Sequence, residues 1–200
     1  MAVMFAGDTL FLQRFLKVAG FDPGPLDGSF GVRTAAALAK FEEASDAAAM
    51  NYRRLDSRTE ACIRTLLPEA QKVARHFMDL AHAVDFGHTV RIISGTRTYR
   101  EQAAIFAQGR TRPGKIVTKA GPGQSNHNFG TAWDVGFFDG GEYVDHAAPY
   151  RQLGERIAAK DIGIEWGGMW RFIDLPHFQL RTVRPLADVR RLFEAGEAYA

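Results

Sequence analysis

A single cysteine, Cys62, stands in a chain of 200 residues, which rules out an intramolecular disulfide and every Cys-rich zinc module. The fold must be held by apolar packing, with a metal on nitrogen and oxygen donors as the one other cross-link open to it. Packing is within reach, because 46% hydrophobic and 24% charged residues is the composition of an ordinary globular protein. At this length a catalytic domain with a small accessory module is the natural division. The formal charge of +2 and pI of 8.8 favour an acidic partner but fall short of a nucleic-acid footprint. No apolar run reaches the roughly 18 residues of a membrane span. Asp8, Gln13, Arg14 and Lys17 interrupt the N-terminal apolar residues, so this stretch reads as a helix and not as a signal peptide.

After Asp8 or Thr9 as N-cap, Leu12, Phe15, Leu16 and Ala19 recur at helical spacing up to Gly20. The stretch FDPGPLDGSFG must be a tight loop, and Thr34, Ala37, Leu38 and Phe41 then line a second helix. The whole segment LQRFLKVAGFDPGPLDGSFGVRTAAALAKFE resembles the helical peptidoglycan-binding domain of wall hydrolases. That family pairs a Leu-Gln helix with a Gly- and Asp-Gly-containing loop and a second helix bearing Thr, Ala-Leu and Phe.

Further helical stripes run through Thr59, Cys62, Ile63 and Leu66 up to Pro68, and through Val73, Phe77, Leu80, Ala81 and Val84 beyond it. The texture then changes. TVRIIS reads as a strand, Thr98 to Glu101 has the capping-box pattern that opens a helix, and WDVGFF and HFQL are further strands. Pro149 and Pro185 fit the first turn of helices. Without regular βαβ spacing, the pattern predicts an α+β domain with a small, mostly antiparallel sheet, preceded by a small all-α module.

The chemistry concentrates in two places. Ser125 to Asp134 offers His127 and Asp134 seven positions apart, and His177 follows much later in Asp174-Leu175-Pro176-His177. Two imidazoles and a carboxylate suit catalytic Zn²⁺, which takes three protein ligands and keeps a fourth position open. Asp174, three residues before a ligand, is the candidate proton acceptor. Arg97 is placed to stabilise an oxyanion or to hold a substrate carboxylate. Ser125, Trp166 and Trp170 are candidate substrate contacts. Glu165 reads as structural, Cys62 as packing, and Asp139, Glu142 and Asp145 as a solvated acidic loop in preference to a calcium site.

Both signatures, Ser-x-His-x-x-Gly-x-Ala-x-Asp and a later Asp-x-x-His, resemble those of the zinc D-Ala-D-Ala carboxypeptidase and L-alanyl-D-glutamate endopeptidase superfamily. The flanking residues look most like its phage endolysin branch. The resemblance implies zinc on His127, Asp134 and His177, a general base at Asp174 and a functional arginine at Arg97.

The expectation is a peptidoglycan-binding module over 1–50 and a zinc-dependent peptidase over 51–200 that cuts the L-Ala-D-Glu bond of stem peptides. A D-Ala-D-Ala carboxypeptidase and a wall-binding protein with a structural zinc are the alternatives. The partner is bacterial peptidoglycan, with no nucleic acid and no membrane insertion, and the chain is expected to be a monomer. Without a signal peptide it would accumulate in the cytoplasm and reach the wall through holin-made openings. The first module is expected only to raise the local concentration of the second.

Overall fold

A computed structural model describes residues 4–200. Seven helices and five strands follow in the order α1 (Thr9–Val18), α2 (Val32–Ala49), α3 (Ser57–Ile63), α4 (Pro68–His82), β1 (Thr89–Ser94), α5 (Tyr99–Ala107), β2 (Ala132–Asp139), β3 (Glu142–Val144), α6 (Ala148–Ala158), β4 (Ile164–Trp166), β5 (His177–Leu180) and α7 (Leu186–Ala195). A 3₁₀ turn, Asn126–Phe129, precedes β2. The predicted class, a helical N-terminal region and an α+β remainder with an antiparallel sheet, is what the chain adopts. The short strands β3 and β4 had no alternation long enough to mark them. None of the described helices is long and apolar enough to cross a membrane.

The chain forms two compact units that interleave along the sequence. One comprises residues 4–44, 96–130 and 182–200, and the other 45–95 and 131–181.

In the first unit, Asp8 caps α1 by accepting from Phe11 N, as expected for an Asp before an apolar stripe. Gln13 is buried and staples the glycine-rich loop to the helix. Its Nε2 donates to Asp27 Oδ1 and Ser29 O at 3.1 and 3.0 Å, and its Oε1 accepts from Gly28 N at 2.8 Å. The Leu-Gln of the sequence pattern therefore divides its work, with Leu12 in the core and Gln13 satisfying a loop that has no regular backbone partners. Helix α1 also meets α7. Phe11 contacts the rings of Phe193 and Tyr99 at centroid distances of 5.0 and 5.8 Å, and Phe193 contacts Phe129 at 5.5 Å.

In the second unit the sheet runs β1-β2-β5-β4, with β3 also pairing β2, and every pair is antiparallel. Alternation sorts its two faces. Trp133, Phe178 and Trp166 are aligned across β2, β5 and β4 and buried with Phe77 of α4 and Leu153 of α6 in one apolar core. Asp134, His177, Gln179 and Glu165 alternate with them onto the other face. Register fixes this arrangement, since a slip of one residue would exchange the two faces.

Candidate functional site

His127 sits on the 3₁₀ turn, whose ends the sequence specifies. Ser125 Oγ accepts from His127 N, and Gly130 closes the turn in the left-handed region at φ 70°, where a side chain would be strained. The turn has little regular backbone pairing, and other segments of its own unit supply the bonds. Arg97 N donates to His127 O at 2.9 Å, and Asn128 Nδ2 donates to Arg97 O at 2.8 Å. Asn128 Oδ1 accepts from Gly123 N, and Tyr199 Oη donates to Phe129 O at 2.6 Å.

Asp134 and His177 are directly opposite residues of β2 and β5, and His177 Nδ1 lies 3.2 Å from Asp134 Oδ1. Beside Asp134 the β1–β2 register shifts between Ile92 and Ser94, a bulge of the kind that re-aims side chains next to active sites. Burial pulls the His177 imidazole down, but the hydrogen bond and charge of Asp134, with Gln179 and Asp174 beyond, outweigh it and hold the ring above its ordinary value.

The ligand atoms of His127, Asp134 and His177 all lie within 4.8 Å of one another, with both histidines buried and the aspartate half-buried. Two nitrogens and one oxygen, gathered from three chain segments and largely withdrawn from water, are the donor set of a catalytic zinc site with an open position. This group can therefore hold a metal ion. Among the described residues no other group of three possible ligands is gathered in this way, and that includes Asp139, Glu142 and Asp145.

Asp174 is exposed, on a segment pinned at both ends. Its N–H donates to Gly167 O at 3.0 Å, and His177 N donates to its carbonyl at 3.3 Å. Trp170 is 37% exposed and its ring lies 5.0 Å from that of His177, so it stands beside a candidate ligand as a wall would.

Trp166 is a correction. It is buried, its Nε1 donates to Leu175 O at 2.8 Å, and its ring stacks on Phe178. Gly154 of α6 makes room for it, since a Cβ there would come within 2.1 Å of the indole. With both faces and its N–H engaged, Trp166 belongs to the core and not to a substrate surface. Ser125 has the local capping role described above. Cys62 is half-buried and burial pushes its thiol up, as befits a packing residue.

Sequence reasoning passed over Gln179 and Tyr199. Gln179 carried a legible signal, since in HFQL the period of two puts it on the face of His177. Nothing local marks Tyr199, which acts through its fold position alone.

Residues 118–180 match the family described as D-alanyl-D-alanine carboxypeptidase, and residues 6–46 match a peptidoglycan binding domain. The chain is similar to the peptidoglycan L-alanyl-D-glutamate endopeptidase CwlK of Bacillus subtilis, at 39% identity over 109 residues, which are 50% of this chain and 65% of that protein. The match thus spans just under two thirds of that relative's length. Among solved structures, the L-Ala D-Glu endopeptidase ChiX of Serratia marcescens is 26% identical with a TM-score of 0.46, covering 66% of this chain and 92% of that one. The chain is thus similar to the D-alanyl-D-alanine carboxypeptidase family over residues 118–180 and to a peptidoglycan binding domain over residues 6–46.

Proposed function

We propose that this protein is a zinc-dependent peptidase that hydrolyses the L-Ala-D-Glu bond in the stem peptides of bacterial peptidoglycan. The observation that carries the reading is the gathering of His127, Asp134 and His177 within a segment that matches a peptidase family. The similarity to CwlK supports the choice of bond.

These three residues would hold zinc. When bound, zinc supplies a Lewis acid that polarises the scissile carbonyl and lowers the pKa of water. Asp174 takes the proton from the attacking water and returns it to the leaving amine nitrogen, so that one water is consumed and an acid and an amine are released. The backbone bonds of Asp174 to Gly167 and His177 tie its main chain beside a candidate ligand and support this role. Arg97 stabilises the oxyanion or holds a substrate carboxylate, and Trp170 borders the substrate.

The peptidoglycan-binding domain over roughly 1–50 delivers the peptidase of 51–200 to the wall, consistent with an endolysin-like, wall-lysing role. The name of the matched family keeps a second reading, a D-Ala-D-Ala carboxypeptidase, which requires a cationic group for the terminal carboxylate of its substrate.

Mass analysis of the fragments released from purified peptidoglycan separates the two. New N-terminal D-Glu supports the endopeptidase, and free D-Ala overturns it in favour of the carboxypeptidase. For the base, Asp174→Asn should retain zinc while single-turnover cleavage falls by at least about 10²-fold, the lower range for a positioned proton acceptor. A fully active, zinc-replete Asp174→Asn beside an inactive Glu165→Gln would move the role to Glu165.

A further inference from the structure

The polar face of the sheet continues past the candidate ligands. Asp134 on β2 is opposite His177 on β5, and two residues along β5 Gln179 is opposite Glu165 on β4. The four side chains form a line. His177 Nδ1 lies 3.2 Å from Asp134 Oδ1, His177 Nε2 lies 3.1 Å from Gln179 Oε1, and Gln179 Nε2 donates to Glu165 Oε2 at 2.9 Å. Gln179 is 4% exposed, so its amide is satisfied within the protein.

The direction of each bond follows from what each group can do. An ionised carboxylate only accepts, so Gln179 turns its NH₂ toward Glu165. The amide oxygen, itself only an acceptor, then faces His177 Nε2. That nitrogen donates, and a metal ion that takes the Nδ1 lone pair, on the side of Asp134, leaves Nε2–H as the one N–H of the ring.

We infer that Glu165 and Gln179 are positioning residues that receive the Nε2–H of His177 and so turn Nδ1 toward the metal. Outer partners of this kind orient a ligating imidazole and raise its basicity. A neutral amide between the ring and Glu165 transmits the orientation while keeping the full negative charge one side chain away. This inference rests on the zinc reading above.

The test uses the full-length protein, with zinc affinity from chelator competition and ¹⁵N NMR of the imidazoles in the zinc-loaded protein. The wild type should show Nε2–H at His177. Gln179→Leu should bind zinc about 10–100-fold more weakly. The exchange Glu165→Gln with Gln179→Glu rebuilds the relay, because Glu at 179 accepts from Nε2–H and Gln at 165 donates to it, and it should recover the affinity that Gln179→Leu loses. A merely structural role would not give this recovery.

An Nδ1–H tautomer in the wild type overturns the inference, as does unchanged zinc affinity in Gln179→Leu or an exchange variant as weak as Gln179→Leu. A wild type that binds no zinc overturns the zinc reading, and the inference with it. If Gln179→Leu does not fold, the wild-type spectrum and the exchange variant still decide.

Discussion

His127 and the Asp134–His177 pair are held by different means. The pair stands on adjacent antiparallel strands as directly opposed residues, so the ladder that builds the sheet also sets their separation. His127 stands on a four-residue turn whose carbonyls and neighbours are secured by Arg97, Gly123 and Tyr199. Phe129 at its end is packed among Phe193, Tyr99 and Tyr199. A sheet register is intrinsic to its strands, whereas a turn of this kind depends on residues brought from far along the chain. Losing one distant support should therefore matter more for His127 than for the pair.

The largest expected effects fall on the ligands themselves. His127→Ala, Asp134→Ala and His177→Ala should each lower bound zinc below stoichiometric levels and abolish hydrolysis, since three ligands leave no redundancy. Metal analysis of the purified variants checks this, and full zinc occupancy in any of them would remove that residue from the ligand set.

Next comes the N-terminal region. Phe11 is 3% exposed and touches Phe193 and Tyr99, the same rings that hold Phe129. The sequence-based expectation that the first module only concentrates the enzyme at the wall ignores this packing. Phe11→Ala should cost about 3–5 kcal/mol of stability, as large aromatic truncations do, read from denaturant unfolding. Removal of residues 1–50 should impair cleavage of soluble muropeptides as well as of intact walls. Undiminished activity of the truncated protein on soluble peptides would mean that the His127 turn stands without this support, and the contrast drawn above would collapse.

The two regions were unequally legible in the sequence. WDVGFF and HFQL could be read as the strands that carry Asp134 and His177, because a short β-rich run is a local signal. The caps Asp8 and Thr98 were equally local, and Thr98 forms the expected capping box with Glu101. The aromatic cluster of Phe11, Phe129 and Phe193 was invisible, since its members come from three distant parts of the chain and each taken singly is only an apolar residue. Trp166 was misread for the same reason. Whether a tryptophan lines a cleft or fills a core depends on what packs over it, here Phe178 and the glycine of α6.

A smaller effect should follow from Tyr199→Phe. Its hydroxyl donates to Phe129 O at 2.6 Å in a buried setting, and removing one partner of a buried pair typically costs about 1 kcal/mol. The ring and its packing remain. Zinc affinity should weaken in proportion to how far the turn loosens, with melting and chelator titration measured on the same sample. An unchanged melting temperature would show that another donor serves this carbonyl.

The smallest effect tests the sheet side by a remote perturbation. Asp56 caps α3, accepting from Arg58 N and Thr59 N and from Thr59 Oγ1 at 2.6 Å. Thr59 Oγ1 in turn accepts from Ile92 N on β1 at 3.2 Å, next to the bulge that faces Asp134. Asp56→Ala should cost about 1 kcal/mol, the usual value of such a cap, while zinc affinity stays at the wild-type level because the β2–β5 register does not pass through Thr59. Burial works to raise the Asp56 carboxyl, but the bonds from Thr59 and Arg58 outweigh it and hold the group below its ordinary value. A lowered folded-state pKa makes the contribution full above the unfolded value of about 3.9 and lost as pH falls through the lower, folded one. The stability difference between wild type and Asp56→Ala should therefore be constant near neutrality and shrink only in acid below that range. A fall in zinc affinity with Asp56→Ala at neutral pH would show that the paired ligands also lean on distant support, and that the two regions differ less than their secondary structure implies.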